Sequence, residues 1–251
     1  MRYRLRAFGF HLFASASLLT LVLGGLYVGW YRWPGWYLAG MRQVALVAVT
    51  VDVVLGPLLT LIIASPTKSR RDLARDIACI VIVQLAALAY GGLTLWRGRP
   101  LYYAFSVDRL QMVQATDLGP SEIELGRKQN PAFAPRWYSL PRWVWAPLPD
   151  DPQLRKKIVT SAIFGGTDVI QMPRYFKPWN LGIPELRKQL KRVDELSVFT
   201  RIQKRILEQK MTRLGFAPEK RSTLFLSGRV GAVLAIFDPK TMRLQAILGA
   251  Y

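Results

Sequence analysis

The sequence predicts a membrane α+β protein: three transmembrane helices followed by a small soluble α+β domain. Three observations predict it. Three long runs near the N-terminus are almost free of charge. Composition changes sharply near residue 99, where residues 1–99 hold three of the sixteen acids and residues 100–251 hold the other thirteen. Beyond that point the hydrophobic pattern alternates between strand and helix periods.

The first span is read at residues 7–31, the second at 43–64 and the third at 77–96. Each has the roughly 20 residues needed to cross about 30 Å of hydrocarbon. None contains Lys, Arg or Glu, and Asp52 is the one formal charge within them. Arg2, Arg4 and Arg6 give the first run the basic start of a signal peptide. Its small-residue site Ala14-Ser15-Ala16 falls too early for cleavage, so the run is expected to remain as a helix.

Basic residues in short loops set the orientation. The N-terminal segment and the loop SPTKSRRDLARD are Lys- and Arg-rich, whereas YRWPGWYLAGMR is aromatic with Arg32 and Arg42. The expectation is a cytoplasmic N-terminus and, after three spans, a periplasmic domain over 100–251 in a bacterial inner membrane.

In that domain, LYYAFSVDRLQMVQATDL reads as two strands around a turn at Ser106–Arg109. In 119–152, Pro131, Pro135, Pro141, Pro147, Pro149 and Pro152 predict an irregular or edge-strand region, with Trp137, Trp143 and Trp145 packed on apolar partners. A soluble helix is expected over 185–214, started by Pro184 and capped by Gly215, with room for a break into two helices near Ser197–Thr200. Its apolar stripe runs through Leu186, Leu190, Val193, Leu196, Phe199, Ile202 and Ile206. TLFLS, GAVLAIF and MRLQAIL read as strands, the last two forming a hairpin across Asp238-Pro239-Lys240-Thr241.

Net charge is +19, and residues 100–251 alone carry +11 from 24 basic and 13 acidic residues. A basic exported domain points to an anionic membrane surface or an acidic protein rather than to nucleic acid. The single cysteine, Cys79, lies in the third span, so no disulfide framework exists. Residues 100–251 have neither histidine nor cysteine, which removes His-dependent triads and the usual zinc ligands. Neighbouring acids such as Asp150-Asp151 fit exposed turns. The expectation is a protein that is not an enzyme.

The informative residues are polar ones inside the membrane. A charge at the bilayer centre costs a few kcal/mol on insertion scales and persists where it is paired, protonated or used. At 1.5 Å per residue, Asp52 stands about 18 Å from Ala64 and Gln84 about 12 Å from Asp76. His11 and Thr60 each fall about one turn inside the cytoplasmic face. A seam joining His11, Asp52, Thr60 and Gln84 is therefore allowed, with Gly56-Pro57 shaping the second span. Such a seam has three uses: joining the spans, docking another helix, or moving protons or ions.

The motifs AFGFHL, WYRWPGWY, VDVVLGPLLTLI, PTK, DIACIVIVQLAALAYG and RP, in that order, resemble the type IV pilin accessory proteins of the TfpX/TfpZ kind. The resemblance covers the first ninety-odd residues and continues weakly into YYAFSVDRLQMV. It implies an inner-membrane protein that holds or stabilises the major pilin and tunes pilus assembly and retraction, with no cofactor. On this basis His11, Asp52, Gly56, Pro57, Thr60, Gln84 and Tyr90 are the candidate pilin contacts. The rival expectation is a membrane-embedded sensor with an extracytoplasmic reader domain; a membrane-anchored periplasmic enzyme ranks behind it.

Overall fold

A computed structural model describes residues 2–65 and 68–249. Pro66 and Thr67 of the PTK motif lie outside the described residues. The chain divides into two compact units, Met1–Arg99 and Pro100–Tyr251.

The first unit contains three helices long and apolar enough to cross a membrane. The first is α1 (Arg2–Gly29). After the short α2 (Gly35–Leu38), the second is built from α3 (Met41–Val49), a wider π-helical segment over Thr50–Leu55, and α4 (Gly56–Ile63). The third is α5 (Arg70–Arg97), capped where the Ser69 hydroxyl accepts from Asp72 N–H. It starts seven residues before the predicted span, because Arg70–Asp76 continues the same helix as about two polar turns. The outer faces are apolar: Phe10, Phe13, Leu21, Ile62 and Ile82 are all exposed, as helices in lipid require. The aromatic loop folds back on the helix ends. Tyr31 is buried with Leu26, Met41 and Leu95, and its hydroxyl donates to the Leu95 carbonyl at 2.7 Å.

The second unit is a mixed seven-stranded sheet with helices. Strand β1 (Pro100–Ser106) turns through Val107 and Asp108 into β2 (Arg109–Gln114), an antiparallel hairpin with Phe105 opposite Leu110. Then come α6 (Pro120–Gln129), β3 (Arg142–Trp145), α7 (Pro152–Ile163), β4 (Lys177–Pro178), α8 (Ile183–Gln189) and α9 (Arg201–Arg213). Strands β5 (Thr223–Ser227), β6 (Ala232–Phe237) and β7 (Leu244–Gly249) close the chain as an antiparallel meander. The spatial order is β4-β3-β1-β2-β5-β6-β7, with parallel pairing of β1 to β3 and of β2 to β5.

The sheet is curled. Trp143 on β3 and Phe237 on β6 are four strand spacings apart, about 19 Å in a flat sheet. Both rings nevertheless meet Trp179, with centroids at 5.2 and 6.2 Å. One core joins Tyr102, Ala104, Val113 and Val144 to Ile158 of α7 and Phe176. A second joins Val193 and Leu196 to Leu207 and Met211 of α9 and to Leu234, Ile236 and Leu248.

Three expectations change here. The proline-rich stretch holds a ten-residue helix, α6, because Pro120 occupies its first turn, where no N–H is needed. Trp137 is 70% exposed and its ring meets Tyr138, so it is not a core residue. The stretch expected as a helix at 185–214 is two helices, and the eleven residues between them make the gap wider than the break allowed near Ser197–Thr200. Lys191 leaves the helix to pair with Thr223 of β5, N–H to O and O to N–H at 2.9 and 3.0 Å. Helix α9 then restarts at a capping box between Thr200 and Gln203. The restart changes the phase, so Leu207 and Met211 are buried while Ile202 and Ile206 face out. Gly215 has φ +81°, as the expected C-terminal cap requires.

The β6–β7 turn depends on Asp238. Its Oδ1 accepts the Lys240 and Thr241 N–H groups, each at 2.7 Å, and its Oδ2 accepts from Gln245 Nε2 at 3.1 Å. The backbone donors of Thr241 and Lys240 hold this carboxyl below its ordinary range. Glu195 is shifted the same way, chiefly by the Arg192 N–H and then by Arg221. A carboxyl with a lowered folded pKa stabilises the fold above its unfolded value, about 3.9 for Asp. That contribution is lost as pH falls through the folded value. The urea midpoint of the second unit is therefore expected to drop below about pH 4. Asp238→Asn should flatten part of this slope, leaving the share due to Glu195. An unchanged slope would remove Asp238 from the account.

Candidate functional site

The polar residues of the three spans converge. Helix α1 packs against α4, the π-helical segment and α5, which brings His11, Thr60 and Gln84 together. His11 Nδ1 lies 2.5 Å from Thr60 Oγ1, and His11 Nε2 lies 2.8 Å from Gln84 Oε1. Gln84 Nε2 in turn donates to the Asp52 backbone carbonyl at 3.0 Å. The direction of the chain follows from the donors. An amide whose nitrogen donates to Asp52 presents its oxygen to His11, so Nε2 carries the proton and Nδ1 accepts from the Thr60 hydroxyl.

Why Asp52 offers a free carbonyl follows from Pro57. Over Thr50–Leu55 the backbone runs in i→i+5 register, and Gly56 N–H bonds the Val51 carbonyl. The next bond in that register would join residue 57 to Asp52, and proline has no N–H. The Gln84 side chain supplies the missing donor. A freed carbonyl in a span must be satisfied by a neighbour in this way. Gly56 is the other half of the arrangement. A Cβ at this position would overlap the Gln84 amide, so only glycine lets that amide reach the backbone.

The Asp52 side chain is a different matter. The residue is 4% exposed, and neither carboxylate oxygen has a hydrogen-bond partner among the described residues. It lines a cavity of about 130 Å³. The walls are two helix faces: Ala14, Ser15 and Leu18 on α1, and Val81, Leu85 and Leu88 on α5, with His11 and Gln84 at the base.

Of the residues singled out from sequence, His11, Thr60, Gln84, Gly56 and Pro57 therefore meet in one buried cluster, joined to Asp52 through its backbone. Tyr90 does not; it is 76% exposed on the outer face of α5. The cavity walls were missed by sequence reasoning. The signal was present, since 11, 14, 15, 18 and 81, 84, 85, 88 each mark one helix face around a polar residue. Among the described residues no group of three His, Cys, Asp or Glu side chains could hold a metal ion.

No family model matches the chain, and no solved structure matches it. Three curated relatives from Dichelobacter nodosus do. The fimbrial assembly protein of serogroup I is 26% identical over 186 residues, covering 73% of this chain and 70% of the relative. That of serogroup E1 is 25% identical over the same length and shares. That of serogroups C1 and C2 is 28% identical over 115 residues, 46% of this chain and 88% of the relative. An alignment of 186 residues is longer than the first unit, so the likeness extends into the second. The chain is thus similar, over 73% of its length, to proteins named for fimbrial assembly.

Proposed function

We propose that this chain is an inner-membrane accessory protein of type IV pilus biogenesis that binds or stabilises the major pilin and tunes pilus assembly and retraction. The observation that carries the reading is the alignment, over most of the chain, with proteins named for fimbrial assembly. The resemblance of residues 1–99 to pilin accessory proteins of the TfpX/TfpZ kind narrows it. Its N-terminus lies in the cytoplasm and residues 100–251 in the periplasm, as the loop charges direct. The role is chaperone-like, with pilin and inner-membrane lipids as partners and no catalytic step, cofactor or nucleic acid.

The test is recovery of the co-produced major pilin with this protein from detergent-solubilised inner membranes, alongside pilin abundance and surface pili in a deletion strain. Co-purification with falling pilin or pili is the expected result. No association and unchanged pili would sink the reading and turn attention to a sensor whose output is not the pilus.

A further inference from the structure

We propose that the Asp52 carboxylate and the cavity before it form a recognition site for a cationic group, an ammonium or guanidinium, carried by the membrane-spanning helix of a partner protein. The proposal deepens the reading above, on which it rests for the choice of partner.

The first ground is the state of the carboxylate. It is buried, neither oxygen has a partner among the described residues, and Asp52 is among the residues that line the cavity. An ionised acid in hydrocarbon requires a counter-group. The three predicted spans supply none, since they contain no Lys or Arg. Of the polar groups around it, His11 is committed to Thr60 and Gln84, and the Gln84 amide to the Asp52 backbone carbonyl.

The second ground is the shape of the space. At about 130 Å³ it has room for a head group of a few heavy atoms and not for a segment of chain. Asp52, His11 and Gln84 are among the residues that line it, and Leu18 and Leu85, which also line it, are exposed. A group entering between them leaves the rest of its molecule in the hydrocarbon. A protein segment there must satisfy its own backbone, which makes it a helix. The small residues Ala14 and Ser15 on α1 let that helix approach closely. The occupant is thus an apolar helix with one cationic side chain or amino group.

The test has two arms on the full-length protein in nonionic detergent. In the first, thermal unfolding is followed with added dodecylammonium or dodecanol. Dodecylammonium is expected to raise the midpoint of the wild type by several degrees and to leave Asp52→Asn unmoved, with dodecanol affecting both alike. In the second arm, pilin recovery is compared for wild type, Asp52→Asn and Leu85→Trp, which plugs the mouth and leaves the polar cluster intact. Both variants are expected to lose about tenfold or more, equivalent to 1.4 kcal/mol. Equal effects of the amine and the alcohol would overturn the site, whatever pilin does. Undiminished pilin recovery by both variants would overturn its use for helix docking. A stabilisation by dodecylammonium that depends on Asp52, with no pilin recovered by the wild type, would uphold the cation site and remove pilin as the partner.

Discussion

Gly56→Ala is expected to destabilise the three-helix unit by about 2 kcal/mol, although alanine is the better helix former. The new Cβ would overlap the Gln84 amide, and the side chain, being flexible, can swing aside. Swinging aside breaks two bonds at once. His11 Nε2–H loses its acceptor, and the Asp52 carbonyl, which Pro57 cannot serve, loses its donor. Each buried group left unsatisfied costs about 1–3 kcal/mol. The helix-propensity gain, up to about 1 kcal/mol, offsets part of this. Gln84→Ala should cost a similar amount, since it removes the same two bonds by another route. The double variant should then cost little more than Gln84→Ala alone, because the clash has nothing left to strike. Thermal unfolding in detergent of all four proteins measures the cycle. Additive losses would mean that Gly56 and Gln84 act separately, and the proposed division of labour in the second span would fall.

That cycle also shows how much of the site was legible in advance. Depth along each helix is a matter of counting, so His11, Thr60, Asp52 and Gln84 were readable as neighbours from sequence. The angular position of each residue about its own helix was not. Tyr90 lies one and two-thirds turns beyond Gln84 and faces outward, which a depth argument alone does not register. Nor could the sequence distinguish the backbone of Asp52 from its side chain. The π-helical segment decides that the carbonyl, not the carboxylate, is bonded to Gln84, and a Gly-Pro pair does not by itself specify such a segment. In the second unit the strands were plain because alternation and turn residues are local signals. The width of the gap in the helix at 185–214 was hidden because its apolar stripe runs on across it. What broke it was a pairing between Lys191 and Thr223, 32 residues apart, which no window around Lys191 contains. The curl of the sheet has the same origin, depending on contacts between residues far apart in the chain.

Trp179→Ala is expected to test that curl and to cost the second unit about 3 kcal/mol. The ring stands among three strands, 5.2 Å from Trp143 on β3, 6.4 Å from Phe105 on β1 and 6.2 Å from Phe237 on β6. Phe105 and Phe237 are wholly buried, so removing the indole opens a void against two rings that have no other place to go. Large-to-small changes of this kind cost about 3–5 kcal/mol, and the partial exposure of Trp179 puts it at the lower end. Trp137→Ala is the control, since that ring is exposed and should shift stability by less than about 0.5 kcal/mol. Urea separates the two units, because it unfolds soluble domains while membrane helices keep their hydrogen bonds. Unfolding of the full-length protein in detergent, followed by near-ultraviolet circular dichroism, therefore reports on residues 100–251. A Trp179→Ala midpoint matching that of Trp137→Ala would mean that backbone pairing alone holds the sheet in its curl. The expected large gap between the two would instead make Trp179 the wedge that holds β3 and β6 together across a sheet too wide for them to meet when flat.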